Sequence, residues 1–224
     1  MRPALTLAIL AASAAFALPA QAQTADTSRE AGDWLVRLRA IMVAPTEDSG
    51  AVTPAFPGSE VGVDNAVMPE IDFTYMVTKH VGAELILATT KHDITGRGTL
   101  GGVGKLADTW VLPPTLTLQY HFMPEGKIHP YVGAGVNYTI FYSSKASGAL
   151  EDAIGNTSVK LDDSFGYALQ AGIDVDVTPN IFLNADIKYI DMSTTARLNT
   201  GGVKNTVDVD LNPIVAGVGI GFRF

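Results

Sequence analysis

The chain has 224 residues, a formal charge of −8 and no cysteine, and it is 47% hydrophobic but only 17% charged. So little charge excludes a disordered chain, net acidity excludes the basic stripe of a nucleic-acid binder, and the missing cysteine excludes disulfides, thiolate metal sites and a cysteine nucleophile. Mean hydropathy is positive, yet beyond the N-terminus no run reaches the roughly 18 apolar residues of a membrane helix.

Met1-Arg2-Pro3 precedes an apolar run from Ala4 to Leu18, followed by Pro19-Ala20-Gln21-Ala22-Gln23. One early charge, a short apolar core and small residues at Ala20 and Ala22 predict a secretory signal peptide over residues 1–22. Its removal takes away Arg2 and no acid. Residues 23 to about 32 read as a short polar lead-in, and residues 23–224 as one domain.

From Trp34 onward, alternation at period two recurs and helical spacing does not. Trp34, Val36, Leu38, Ala40 and Met42 oppose Arg37 and Arg39. Ile71, Phe73, Tyr75 and Val77 oppose Glu70, Asp72 and Thr74, and Val81, Ala83, Leu85 and Leu87 oppose Gly82 and Glu84. Between Trp110 and Phe122, Leu112, Pro114, Leu116, Leu118 and Tyr120 oppose Thr115, Thr117, Gln119 and His121. Val132 to Tyr142, Ser164 to Val177, Ile181 to Tyr189 and Ile214 to Phe224 repeat the pattern. These are eight strands. Three connections are tight, at Thr78–His80, Met123–Lys127 and Thr178–Asn180; polar links near 44–66, 91–108, 143–163 and 193–206 are long.

An even strand count, short turns at one end and long loops at the other predict an eight-stranded antiparallel transmembrane β-barrel of the bacterial outer membrane, with short periplasmic turns and long extracellular loops. A soluble lipocalin-like barrel would share the strand count but point its apolar face inward. The aromatic residues separate the two. On the apolar face, Trp34, Tyr75, Tyr120, Phe122, Phe222 and Phe224 fall near the short-turn end, and Trp110, Tyr138, Tyr142, Phe165, Tyr167 and Tyr189 near the long-loop end. Two aromatic girdles around an aliphatic band fit outer-membrane lipid as the barrel's surroundings.

The strand sequences resemble the OmpW family of outer-membrane proteins over nearly the whole mature length. The resemblance is carried by Gly32-Asp33-Trp34-Leu35-Val36-Arg37, Leu112-Pro113-Pro114-Thr115-Leu116 and the run from His129 to Tyr138. Ser164-Phe165-Gly166 and the stretch from Asn212-Pro213 to Phe224 complete it. It implies a barrel that helps small hydrophobic molecules across the outer membrane, with a hydrophobic constriction in the outer half of the lumen. The tryptophan that some relatives hold there has no counterpart, since Trp34 and Trp110 both lie on the lipid-facing phase. Phe224 resembles the terminal aromatic that such barrels present to the outer-membrane insertion machinery, and is the candidate assembly signal.

Inward charges in a narrow barrel must pair. Arg37, Arg39, Glu70, Asp72, Glu84, Asp174, Asp186 and Lys188 are expected to form a cross-lumen ion-pair layer, with Asp176 and Arg223 on the same phase. Such a layer staples the barrel and blocks a continuous water pore. At the loop end the inward phase turns apolar at Ile41, Phe141, Ile190 and Met192, and the first long link supplies Phe56. These five form a candidate hydrophobic mouth suited to an apolar solute with lateral release; the plainer reading is that they pack beneath the loops.

Nothing in the chain requires a cofactor or a metal. Gly96 to Gly101 matches a dinucleotide fingerprint but precedes no helix, and Gly104-Lys105 lacks the following Ser or Thr. His80, His92, His121 and His129 share no metal spacing and read as solvent or rim residues. No His and Ser face the same way on one strand, as a hydrolase would need, so no enzyme is expected. The alternative to transport is a structural or surface-interaction barrel with a sealed lumen.

Overall fold

The computed structural model describes residues 27–224; the signal peptide expected over residues 1–22 lies outside them. The elements in chain order begin with β1 (Trp34–Ala44), β2 (Asp48–Ser49), β3 (Ser59–Val63), β4 (Ala66–Met76) and β5 (Val81–Ala88). Then come β6 (Thr90–Gly98), β7 (Lys105–Leu112), β8 (Thr115–His121), β9 (Ile128–Ala146) and helix α1 (Gly148–Ile154). The chain ends with β10 (Thr157–Leu161), β11 (Ser164–Asp176), β12 (Ile181–Ile190), β13 (Ser193–Thr200), β14 (Val203–Asp210) and β15 (Ile214–Arg223).

Eight of these strands close a ring, β1-β4-β5-β8-β9-β11-β12-β15 and back to β1, every neighbour antiparallel. Closure pairs each of these strands on both sides over most of its length, so little strand edge is left to face lipid. The ring is inside-out relative to a soluble core. Leu118 is 63% and Phe165 72% exposed, whereas Arg37 and Asp72 are fully buried. Along β8 the pattern is strict: Thr115, Thr117, Gln119 and His121 are buried, and Leu116, Leu118 and Tyr120 are exposed.

Both girdles are formed. At the short-turn end Trp34 packs on Tyr75 at 5.2 Å, and Tyr120 meets Phe122 edge-on at 5.2 Å. At the other end Trp110 stacks on Tyr142 at 6.2 Å, and Tyr167 meets Tyr189 at a tilt at 5.9 Å. The tight turns are closed by threonines: Thr78 Oγ1 accepts from the backbone N–H groups of His80 and Val81, and Thr178 Oγ1 from those of Asn180 and Ile181. Gly135 and Gly219 allow close strand approach, because a Cβ there would strike the carbonyls of Leu116 and Leu38.

Three features differ from the sequence expectation. The long links are not irregular: they fold into β2, β3, β6, β10, β13, β14, α1 and the first part of β7, which carry the wall beyond the girdles. Their alternation is short or interrupted, as in five-residue β3 and β10, although β14 sets buried Asn205, Val207 and Val209 against exposed Thr206, Asp208 and Asp210. Second, the strand expected from Trp110 to Phe122 breaks at Pro113-Pro114, two residues with no N–H for the ladder. Asn137 Nδ2 bridges the break, donating to Pro113 O at 3.2 Å and Thr115 Oγ1 at 2.8 Å.

Third, the polar lead-in folds as a strap across the short-turn end. Arg29 N–H donates to Pro124 O at 2.7 Å, Thr27 Oγ1 to Gly126 O at 3.1 Å, and Arg223 to the backbone carbonyl of Ser28. Gly32, at φ +99°, turns the strap into β1, a backbone angle that favours glycine. Under this strap His121 and His129 are fully buried, and His92 is buried among the extensions; only His80 remains half-buried near the rim. The expectation of solvent or rim histidines is therefore corrected for three of the four.

Candidate functional site: a polar lumen under an apolar cavity

The lumen is built in tiers. In the lowest, the strap inserts Arg29, whose Nη2 lies 3.3 Å from Asp176 Oδ1 and 3.5 Å from Asp174 Oδ2. Its guanidinium sits 4.6 Å from the centre of the Phe182 ring, which packs with Leu35 and Met76. His129 Nε2 is 2.8 Å from Asp176 Oδ2, and its Nδ1 is 2.8 Å from Met123 O.

The middle tier gathers all eight residues expected there. Arg37 forks onto Asp174, with Nε to Oδ1 at 3.2 Å and Nη2 to Oδ2 at 2.9 Å, and its Nη1 donates to Asp72 Oδ1 and Thr74 Oγ1 at 2.9 Å each. Arg39 reaches Glu70 at 2.7 Å, Asp72 at 2.8 Å and Asp186 at 2.8 Å. Lys188 lies across the lumen with Nζ 2.9 Å from Glu70 Oε1 and 2.8 Å from Asp186 Oδ2. Glu84 Oε2 accepts from Gln170 at 2.6 Å and Thr117 at 2.8 Å. Fixed carboxylates and guanidinium forks from opposite walls fill the cross-section with directional bonds.

Sequence reading missed Arg29, which sits in a segment without periodicity and so gave no signal. Gln170, Asn184, Thr74 and Thr117 did carry one. They share the inward phase with the charges, and each carboxylate has more lone pairs than the cations alone can satisfy.

Above Lys188 and Glu70 the lumen widens into an apolar cavity of about 100 Å³. Ile41, Phe56, Phe141, Ile190 and Met192 all line it, with Phe56 half-buried and the others buried. The extensions supply the rest of the wall, including Val52, Val61, Leu106, Val207 and Leu211. Helix α1 adds Leu150 and Ile154, its start capped by Ser147 Oγ accepting from Leu150 N–H at 3.1 Å.

One side of this wall is open in its hydrogen bonding. The β4–β5 ladder ends at Glu70 opposite Ala88. Beyond it, β4 keeps only its pairing to β1, from Pro69 opposite Ala40 to Ala66 opposite Val43, while β6 pairs with β3 and β7. The two sides meet again where His92 Nδ1 approaches Asp64 O at 2.9 Å. A groove on the lipid side of this window is lined by Leu38, Pro69, Ile71, Leu87 and Leu112, and shares Glu70 and Ala88 with the cavity inside. Among the described residues no group of three His, Cys, Asp or Glu is placed to hold a metal.

Only lipid accommodates an outer wall this apolar around a lumen this charged, and the class so defined is that of outer-membrane β-barrels. The chain belongs to the OmpW family, whose model matches residues 30–224. It is 37% identical over 195 residues to the uncharacterized outer-membrane protein y4mB of Sinorhizobium fredii, covering 85% of this chain and 80% of that protein. It is 35% identical over 200 residues to outer membrane protein W of Vibrio cholerae, with coverage of 88% and 91%. The fold is similar to the crystal structure of OprG from Pseudomonas aeruginosa, with a TM-score of 0.83, 33% identity, and coverage of 89% of this chain and 99% of that one. A more distant relative, the dibenzothiophene metabolism operon protein PahQ of Pseudomonas aeruginosa, is 31% identical over 170 residues, 75% of each chain. The short-turn end is accordingly periplasmic, and the cavity lies on the extracellular side.

Proposed function

We propose that this barrel assists the passage of small hydrophobic molecules across the outer membrane, receiving them in the apolar cavity and releasing them sideways into the bilayer. The observation that carries the reading is the stacking of an apolar cavity directly on a packed ion-pair layer, with a window beside it. Straight descent would require an apolar solute to enter charged surroundings. At the window, by contrast, Glu70 and Ala88 border both the cavity and the lipid-side groove, which supports a lateral exit there. A solute burying about 200 Å² of apolar surface would gain about 5 kcal/mol before the cost of immobilisation, enough for weak and reversible binding. The relative PahQ, named for an operon that metabolises an apolar polycyclic sulfur compound, supports the same solute class.

Phe141→Asp or Met192→Asp should slow uptake of a hydrophobic probe by producing cells, with the amount of assembled barrel unchanged. Ala88→Trp, which thickens the wall between cavity and groove, should slow it as well. Normal uptake in all three, at normal assembly, would overturn the carrier reading in favour of a structural barrel with an inert lumen.

Phe224 is proposed as the residue read by the outer-membrane insertion machinery. It is 75% exposed, and only its backbone is tied down, by paired bonds to Trp34 at 2.9 and 3.1 Å. Replacing Phe224 by Ala should lower the amount assembled in cells several-fold while leaving the urea midpoint of refolded protein within error. Equal losses in both measurements would reduce Phe224 to a girdle residue.

A further inference from the structure

We infer that the floor of the cavity selects solutes by charge, admitting neutral and hydrogen-bond-donating molecules and rejecting carboxylate anions; this rests on the carrier reading above. The first observation is the charge balance of the lumen. Arg29, Arg37, Arg39 and Lys188, all buried, and half-buried Arg223 beside the strap face the buried carboxylates of Glu70, Asp72, Glu84, Asp174, Asp176 and Asp186. Among the described residues the lumen thus holds one more carboxylate than arginines and lysines. His129 lies beside Asp176, in the tier farthest from the cavity, and leaves the balance at the floor unaltered.

The second observation is where an acceptor is left over. Asp186 binds both Arg39 and Lys188 through Oδ2 alone, and its buried Oδ1 has no donor among the described residues. That oxygen borders the space above Gly217, where a Cβ would lie 2.5 Å from it and 3.1 Å from Ile41 Cγ2. Ile41 lines the cavity. The unused oxygen therefore lies just beneath the cavity lining, beside Ile41, with no side chain at position 217 between them. Glu70 reaches the cavity floor directly, as does Lys188, whose ammonium is already held by two carboxylates.

An alcohol, phenol or amine entering head-down can donate to such an acceptor, and leaving a buried acceptor unmet is costly. A carboxylate offers no donor and meets an uncompensated negative field. One excess charge about 10 Å away, at an effective dielectric near 20, changes occupancy by about tenfold.

The test compares protein-dependent initial uptake of labelled octanol, octylamine and octanoate at pH 7.5, normalised to assembled barrel. Octanoate should enter at least about tenfold more slowly than octanol, and octylamine at least as fast as octanol. Asp186→Asn and, separately, Glu70→Gln should narrow the octanol-to-octanoate ratio to about threefold or less; either variant alone suffices if the other fails to assemble. Octanoate entering as fast as octanol in the unaltered protein, or an unchanged ratio in assembled variants, would overturn the inference while leaving the carrier reading intact. Octanol uptake that does not depend on the protein would remove the carrier reading itself, and the charge selection with it.

Discussion

Arg37→Met should cost the barrel about 3–5 kcal/mol, measured as the loss of unfolding free energy in phospholipid bilayers. Arg37 is fully buried and supplies two bonds to Asp174, one to Asp72 and one to Thr74. Removing it returns no solvation to these groups, since they remain under the strap and behind the barrel wall. Asp174 would keep Arg29 at 3.5 Å and the Asn184 amide at 2.8 Å, and Asp72 only Arg39 at 2.8 Å. Arg37→Lys should fall between the two, because an ammonium cannot reproduce the fork onto Asp174. Arg37→Met combined with Asp174→Asn should recover part of the loss, since the stranded charge is then gone. A loss below about 1 kcal/mol for Arg37→Met would mean that the layer behaves as a solvated surface network.

This layer was legible in the sequence because strand geometry converts position into direction. Once Leu38 and Met42 face lipid, Arg37 and Arg39 must face the lumen, and the same parity places Glu70, Asp72, Glu84 and Asp186. The five mouth residues were legible for the same reason, as apolar exceptions on an otherwise polar phase. Two kinds of feature escaped. Arg29 belongs to a strap held by turn and backbone hydrogen bonds, which obey no period. The extensions escaped because their outer face meets no lipid and their apolar inner face is interrupted by polar residues. Lys91 and Asp108 on one face, with His92 and Thr109 on the other, carry no contrast for alternation to report. The window was hidden for a related reason. Strand β6 leaves β4 only because its partners are β3 and β7, and pairing partners are not written in local pattern.

The lipid-facing band allows the second large effect to be placed by depth. Leu116 is 55% exposed on β8, four residues above Tyr120 and six below Trp110. At about 3.4 Å per residue and a tilt near 40°, it lies about 10 Å from one girdle and about 15 Å from the other. That is close to the middle of an apolar band about 25 Å tall. An arginine there cannot bring its guanidinium to either interface without bending the bilayer or the strand. Leu116→Arg should therefore destabilise the folded barrel by about 2–4 kcal/mol in bilayers. Leu183 is equally exposed but pairs with Ile220, only two residues from Phe222 of the periplasmic girdle. There an arginine can snorkel to the headgroups, and Leu183→Arg should cost about 1 kcal/mol or less. Unfolding titrations of both variants in one lipid read the contrast directly. Equal losses at the two sites would mean that the outer surface is not graded by depth, and the placement of both girdles would have to be abandoned.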